Sequence, residues 1–171
     1  MAVFKNGAEI QIGTVRQAIV VTGRHQLRRW IQLLLYTVGQ PNSRLQGGLL
    51  QMAATRGRLM ELLAGIERPE DEDYRGRAFM TGILSLLDVL LQMPLPKLLG
   101  ELNVEADVRA ALLESSGALG RLFSLVQKTE EQDVAAVAAL VGQLPFLTME
   151  KLVRADAEAA GWAASIADAN E

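Results

Sequence analysis

Catalysis by side chains asks for an imidazole, a thiolate, paired carboxylates or an activated hydroxyl, and this chain supplies few of them. Of its 171 residues one is histidine and none is cysteine. That removes thiolate nucleophiles, thiolate metal sites and a disulfide framework together. His25 lies beside Arg24 and Arg28, whose positive charges disfavour its protonated form. A metal held by one histidine needs carboxylate partners, and residues 1 to 68 contain only three Asp and Glu. His25 therefore reads as a surface or helix-end histidine. Ser85, Ser115, Ser116 and Ser124 have no other imidazole to serve as base, and none sits in a Gly-x-Ser-x-Gly turn. Gly47-Gly48 lacks the continuation and the preceding strand of a dinucleotide loop, and no P-loop occurs.

The carboxylates form two dense groups. The run from Glu67 to Asp73, ERPEDED, has neither the alternating ligands nor the glycine turn of a calcium loop. It reads as a solvated connection whose acids complement the dipole of the helix that follows. Glu130, Glu131 and Asp133 stand at the start of a predicted helix. Acid and base work there would need a pocket that separates two pKa values, and a water-exposed cluster is the simpler reading. Among the cations, Arg24, Arg28 and Arg29, with Arg16, Arg56 and Arg58, are the candidates for contact with phosphate or an acidic protein. Residues 1 to 68 carry a net +6 and the remainder −9. Such asymmetry marks either a nucleic-acid surface or opposite charges that meet within the fold, with a partner domain or in a dimer.

These residues must be positioned by helices. Half of the chain is hydrophobic while aromatics are 5%, so the core is built from Leu, Ala, Val, Ile and Met, which favours packed helices over sheets. No stretch alternates over a strand length, and no internal repeat is visible. The central element spans Ala78 to Pro94, where Phe79, Gly82, Ile83, Leu86, Leu87, Leu90 and Leu91 recur at helical spacing, extended by Met80, Leu84 and Val89. Thr81, Ser85, Asp88 and Gln92 form the remaining polar stripe.

Around it, residues 1 to 13 read as an irregular lead-in. Helices follow from Thr14 to Gly23 and from Arg24 to Thr37, the second with Leu27, Trp30, Ile31 and Leu34 on its apolar face. A third, from about Gly48 to Ala64, packs through Leu49, Met52, Ala53, Leu59, Met60 and Leu63, and a close helix crossing would explain Gly57 in its middle. Later helices are marked by Leu98, Leu99 and Leu102, by Val108, Ala111 and Leu112, by Leu119, Leu122, Phe123 and Val126, and by Val134, Val137, Ala138 and Val141. Thr148 is the expected N-cap of a last helix that packs through Leu152, Ala155, Ala159, Trp162, Ala163 and Ile166, before a fraying tail. At this length one domain over residues 1 to 171 is expected, with 143 to 171 as its C-terminal helical segment. Asp88, Pro94, Pro96 and Lys97 interrupt the longest apolar stretch, and no signal segment is present, so a soluble, cytoplasmic protein is expected.

Several stretches together resemble one family. IGTVRQAIVVTGRHQLRRWIQLLLY (12 to 36), ATRGRLMELLA (54 to 64), AFMTGILSLLDVLLQMPL (78 to 95) and EADVRAALLESSGALGRLFSLV (105 to 126) resemble HDOD domains, of the variety found C-terminal to EAL domains in bacterial signalling proteins. The resemblance implies an all-α fold, an HD-like orthogonal bundle of several helices, here without the family's first helices and its Asn-Ser pair. In the related HD phosphohydrolases a His-Asp dyad follows a Gly and two apolar residues on the central helix. Here Gly82-Ile83-Leu84 is followed by Ser85-Leu86, so the dyad positions hold side chains that cannot ligate a metal in that manner.

The resemblance therefore implies a non-catalytic regulatory or adaptor domain of bacterial signal transduction, with no metal and no other cofactor. Its expected partners are proteins, including an upstream EAL, receiver or sensory domain to which any cyclic-di-GMP phosphodiesterase chemistry would belong. Arg24, Arg28 and Arg29 are the expected anchors of the partner surface, and Thr81, Asp88 and Gln92 line a vestigial pocket. No membrane partner is expected, and self-association is left open. Two alternatives stand beside this reading. One is a residual metal-dependent phosphohydrolase using Asp88 with Asp71 and Asp73; the other is nucleotide or nucleic-acid binding by the basic first part.

Overall fold

The computed structural model describes residues 44–102 and 104–168. The lead-in, the two expected helices before residue 38, His25 and the arginines Arg24, Arg28 and Arg29 lie outside the described residues. Among those described the protein is all-helical, with eight helices and no strand. In chain order they are α1 (Arg44–Glu67), α2 (Glu72–Leu84), α3 (Leu87–Leu91), α4 (Leu95–Leu102), α5 (Ala106–Glu114), α6 (Gly117–Glu130), α7 (Val134–Gly142) and α8 (Met149–Asp168).

Local chemistry sets several of the boundaries. Asp71 caps α2 by accepting from the Tyr74 amide at 2.8 Å, so the acidic connection acts on the helix dipole as its composition implies. Asp133 caps α7 through the Ala136 amide at 3.0 Å, and Thr148 caps α8 through the Lys151 amide at 3.3 Å. Ser115 closes α5 in the left-handed region, its amide donating to Ala111 O at 3.2 Å.

The chain divides into two compact units. The first includes 86–104, where α3 packs on α4 and Leu86, Leu87, Leu98, Leu99 and Leu102 are buried. The second comprises 51–85 with the chain from Glu105 onward. Here α5 packs on α6, α6 on α7, and α2 on both α5 and α6. Its core holds Leu59, Met60, Leu63, Tyr74, Phe79, Leu84, Leu119, Leu122 and Leu125, all nearly inaccessible. Burying a side chain of this size contributes about 1.5–3 kcal/mol. The C-terminal helix adds Leu152, Ala155, Ala159 and Ala163 to this core. Its Trp162 meets Phe79 of α2 edge to face, with centroids 6.0 Å apart.

Within the second unit α1 and α2 cross at their glycines. A Cβ on Gly82 would stand 2.5 Å from the Gly57 nitrogen and 2.6 Å from the Gly57 Cα. Neither glycine has a left-handed backbone. Both are present for close approach, which accounts for Gly57 inside a long helix as its spacing implied.

Four expectations need correction. The stretch from Ala78 to Pro94 is not one helix: α2 ends at Leu84, Ser85 and Leu86 form a turn, and α3 is a separate short helix. The Ser85 hydroxyl donates to the Gly82 carbonyl at 2.7 Å. That carbonyl is the acceptor a continuing helix would offer to the Leu86 amide, and the side chain occupies it where the helix ends. Val89, assigned to the buried face, is 52% exposed. Val134 is 73% exposed and Ala138 is also exposed, leaving Val137 and Val141 as the buried face of α7. Met52, assigned to the packing surface of α1, is 42% exposed.

Candidate functional site

Ser85, the first of the two positions singled out by the resemblance, stands in a polar cluster built by three helices. Arg56 of α1 donates from Nη1 to Ser85 Oγ at 2.9 Å. The other edge of the guanidinium is held by Glu130 at the end of α6. Nε donates to Oε1 at 2.8 Å and to Oε2 at 2.9 Å, and Nη2 donates to Oε2 at 2.7 Å. This planar fork on a carboxylate is the geometry arginine provides and lysine does not. The side chains of Arg56 and Glu130 keep 13% and 30% of their surface, so the arginine is largely covered while the carboxylate stays open to water. Ser85 is thus acceptor to Arg56 and donor to Gly82, with the hydroxyl proton committed to the helix backbone.

The neighbouring charges extend the cluster. Two residues along α1, Arg58 donates to Glu61 at 2.8 Å and to Glu158 of α8 at 2.6 Å. Burial works against the charge of Arg58, but its carboxylate partners outweigh that and keep its pKa above the ordinary arginine value. Asp156 of α8 lies near Glu130. Burial first, then the charge of Glu130, raises its carboxyl above the ordinary range.

The remaining singled-out residues have local roles. Leu86 is buried and apolar. Thr81 is fully buried, its hydroxyl donating to Arg77 O at 2.8 Å. Asp88 accepts from the Val89 amide at 2.8 Å at the start of α3. Gln92 ends α3 in the left-handed region, its amide donating to Asp88 O. Asp71 is engaged as a helix cap, Asp73 is exposed in the first turn of α2, and among the described residues no group of three Asp, Glu or His is placed to hold a metal ion.

A metal at Ser85 and Leu86 does not fit the side chains present. One has no donor atom, the other presents a hydroxyl already bonded to a cation, and the carboxylate in that cluster, Glu130, is neutralised by the same cation. Chemically the cluster is a clamp: it fixes the end of α2 to α1 and α6.

The chain is 29% identical over 157 residues to cyclic di-GMP phosphodiesterase CdgJ of Vibrio cholerae, covering 92% of this chain and 35% of CdgJ. It is 26% identical over 161 residues to the uncharacterized protein YuxH of Bacillus subtilis, covering 93% of this chain and 38% of YuxH. It thus spans little more than a third of the length of these relatives. No protein-family model and no solved structure matches it.

Sequence reasoning placed Arg56 among cations open to a ligand and Glu130 in an exposed cluster at a helix start. The structure pairs them, with Glu130 as the last residue of α6. Nothing local in the sequence links residues 74 positions apart. The only signal was the opposite charge of the two parts of the chain, and Arg56 with Glu130 and Arg58 with Glu158 are instances of those charges meeting within one fold.

Proposed function

We propose that the chain is a non-catalytic, HDOD-like regulatory module of a bacterial signalling protein, acting through contacts with other proteins. The observation that carries this reading is the likeness of nearly the whole chain to about a third of two longer proteins, one of them named a cyclic di-GMP phosphodiesterase. A segment matched from end to end inside longer polypeptides behaves as a module, and we infer that the hydrolysis named for CdgJ belongs to the part outside the likeness. The residues at Ser85 support the same reading, because the dyad positions hold no metal ligand and the surrounding charges satisfy one another. No described helix is long and apolar enough to cross a membrane, which agrees with a cytoplasmic module.

Two experiments test it. The chain alone, incubated with cyclic di-GMP and Mn²⁺ or Mg²⁺, should give no hydrolysis and should retain no manganese after dialysis; turnover above the protein-free rate overturns the reading. Partner capture should require the basic surface. Replacing Arg24, Arg28 and Arg29 together by Glu should abolish binding to the upstream part of the longer polypeptide, with helix content and melting unchanged. Undiminished binding removes that surface from the proposal.

A further inference from the structure

The outer side of α8 carries an apolar ridge with nothing packed on it. Leu152, Ala155, Ala159 and Ala163 are buried and fix the inner side of this helix, so the positions between them point away from the core. Met149, Val153 and Ala157 follow one another there at four-residue spacing, and all three are exposed. Met149 keeps 43% and Val153 62% of its surface. Large apolar side chains left open on consecutive turns form a patch, unlike a single scattered one.

Charge lies beside this ridge as one acid and one base. Glu150 and Arg154 each follow a ridge residue by one position, and both are exposed. At i and i+4, acid first, they have the spacing of a favourable pair within the helix, yet neither enters an ion pair among the described residues. Their neighbours are engaged: Lys151 donates to the Phe146 carbonyl at 2.9 Å, and Glu158 accepts from Arg58 at 2.6 Å.

We propose that this face of α8 docks on the same face of a second copy of the chain, the two helices running in opposite directions about a two-fold axis level with residue 152. A two-fold contact requires a self-complementary surface, and this one complements itself in both charge and shape. Reversal about that level sets Glu150 of each copy opposite Arg154 of the other, giving two symmetric ion pairs. Each Val153 then falls between Met149 and Val153 of the other copy, and each Met149 between Val153 and Ala157. Interlocked rows of four-residue spacing cross at about 50°. Half-buried Asp156, on the other side of the ridge, comes level with Thr148 of the second copy and meets no like charge. A membrane surface would call for cations along the ridge, whereas acid and base are balanced here. One helix crossing buries less than the roughly 1,200 Å² of a standard interface, so the dimer is weak and forms at high protein concentration.

Sedimentation equilibrium from about 10 μM to about 1 mM should show the mean mass of the chain rising from monomer toward dimer. Val153→Glu should abolish the rise with helix content and melting unchanged, because Val153 lies outside the core. Glu150→Arg alone and Arg154→Glu alone should each weaken self-association about tenfold, by removing two exposed ion pairs and opposing like charges in their place. Mixing these two single variants should restore association to the parent's strength, since each then supplies the charge the other lacks. A parent that stays monomeric throughout, undiminished association of Val153→Glu, or a mixture no more associated than its components overturns the proposal.

Discussion

Replacing Gly82 by Ala tests the packing of the second unit at its tightest point. The added methyl would stand 2.5 to 2.6 Å from three backbone atoms of the neighbouring helix, the Gly57 nitrogen, the Arg56 carbonyl carbon and the Gly57 Cα. Comfortable carbon contacts lie at about 3.5–4.0 Å, so the two helices would have to part by about 1 Å. Overpacking of this kind costs about 1–3 kcal/mol, occasionally more. The value belongs at the upper end because backbone, unlike a side chain, cannot turn aside.

Helix propensity returns at most about 1 kcal/mol for Gly to Ala, leaving a net loss of about 2 kcal/mol. For a chain of this length that is a fall in Tm of about 4–8 °C. Gly57→Ala meets Ile83 Cγ1 at 2.9 Å, Ile83 Cδ1 at 3.0 Å and Phe79 Cζ at 3.2 Å, the outer atoms of side chains, and should cost less. Gly76→Ala meets nothing within 4 Å and should gain up to about 1 kcal/mol. Urea denaturation followed by far-UV circular dichroism ranks the three. A Gly82→Ala protein as stable as the parent, or less affected than Gly57→Ala, refutes the reasoning.

Other outcomes follow from the polar groups. Arg56→Met leaves Glu130 without its partner and Ser85 without its donor, and should cost about 2 kcal/mol in urea; Ser85→Ala, which removes a neutral acceptor, should cost no more than about 1.5 kcal/mol. Tyr74 is buried and donates to Glu67 at 2.6 Å, so Tyr74→Phe should lose about 1.5–3 kcal/mol. Burial, and then Glu67, push the Tyr74 phenol well above the usual tyrosine value of about 10. Its stabilising effect is complete below that value and lost as pH rises through the folded-state value. Ultraviolet titration should therefore show one of the two tyrosines ionising late, and the Tyr74→Phe protein should lose less stability above pH 10 than the parent.

How far the sequence reveals this architecture depends on the range of the forces involved. Helix caps are local, and Thr148 acts where its position before the last helix placed it; the acidic connection was expected to serve the helix dipole, though the helix starts at Glu72, within the run, with Asp71 as its cap. The leucine faces of α4 and α6 are equally local, since periodicity alone marks Leu98, Leu99, Leu102, Leu119, Leu122, Phe123 and Val126 as buried. Gly57 announced a close crossing, although its partner, Gly82, was visible only in the fold.

Periodicity misled at Ser85, because the apolar pattern runs unbroken from Phe79 to Leu91 while the backbone does not. The helix ends at Ser85, whose hydroxyl donates to the Gly82 carbonyl and accepts from Arg56. Val134 was misassigned for a related reason. In a helix as uniformly apolar as α7, composition cannot say which face is inward. The Arg56 clamp was illegible because its partner is remote in sequence, and charge asymmetry indicates that opposite charges meet without naming the residues.

Arg56 precedes Gly57 on one helix, and Ser85 follows Gly82 by three residues on the other, so the hydroxyl contact and the helix crossing share a single fulcrum. Widening the crossing at position 82 therefore bears on the span that the Arg56 side chain must bridge to reach the Ser85 hydroxyl.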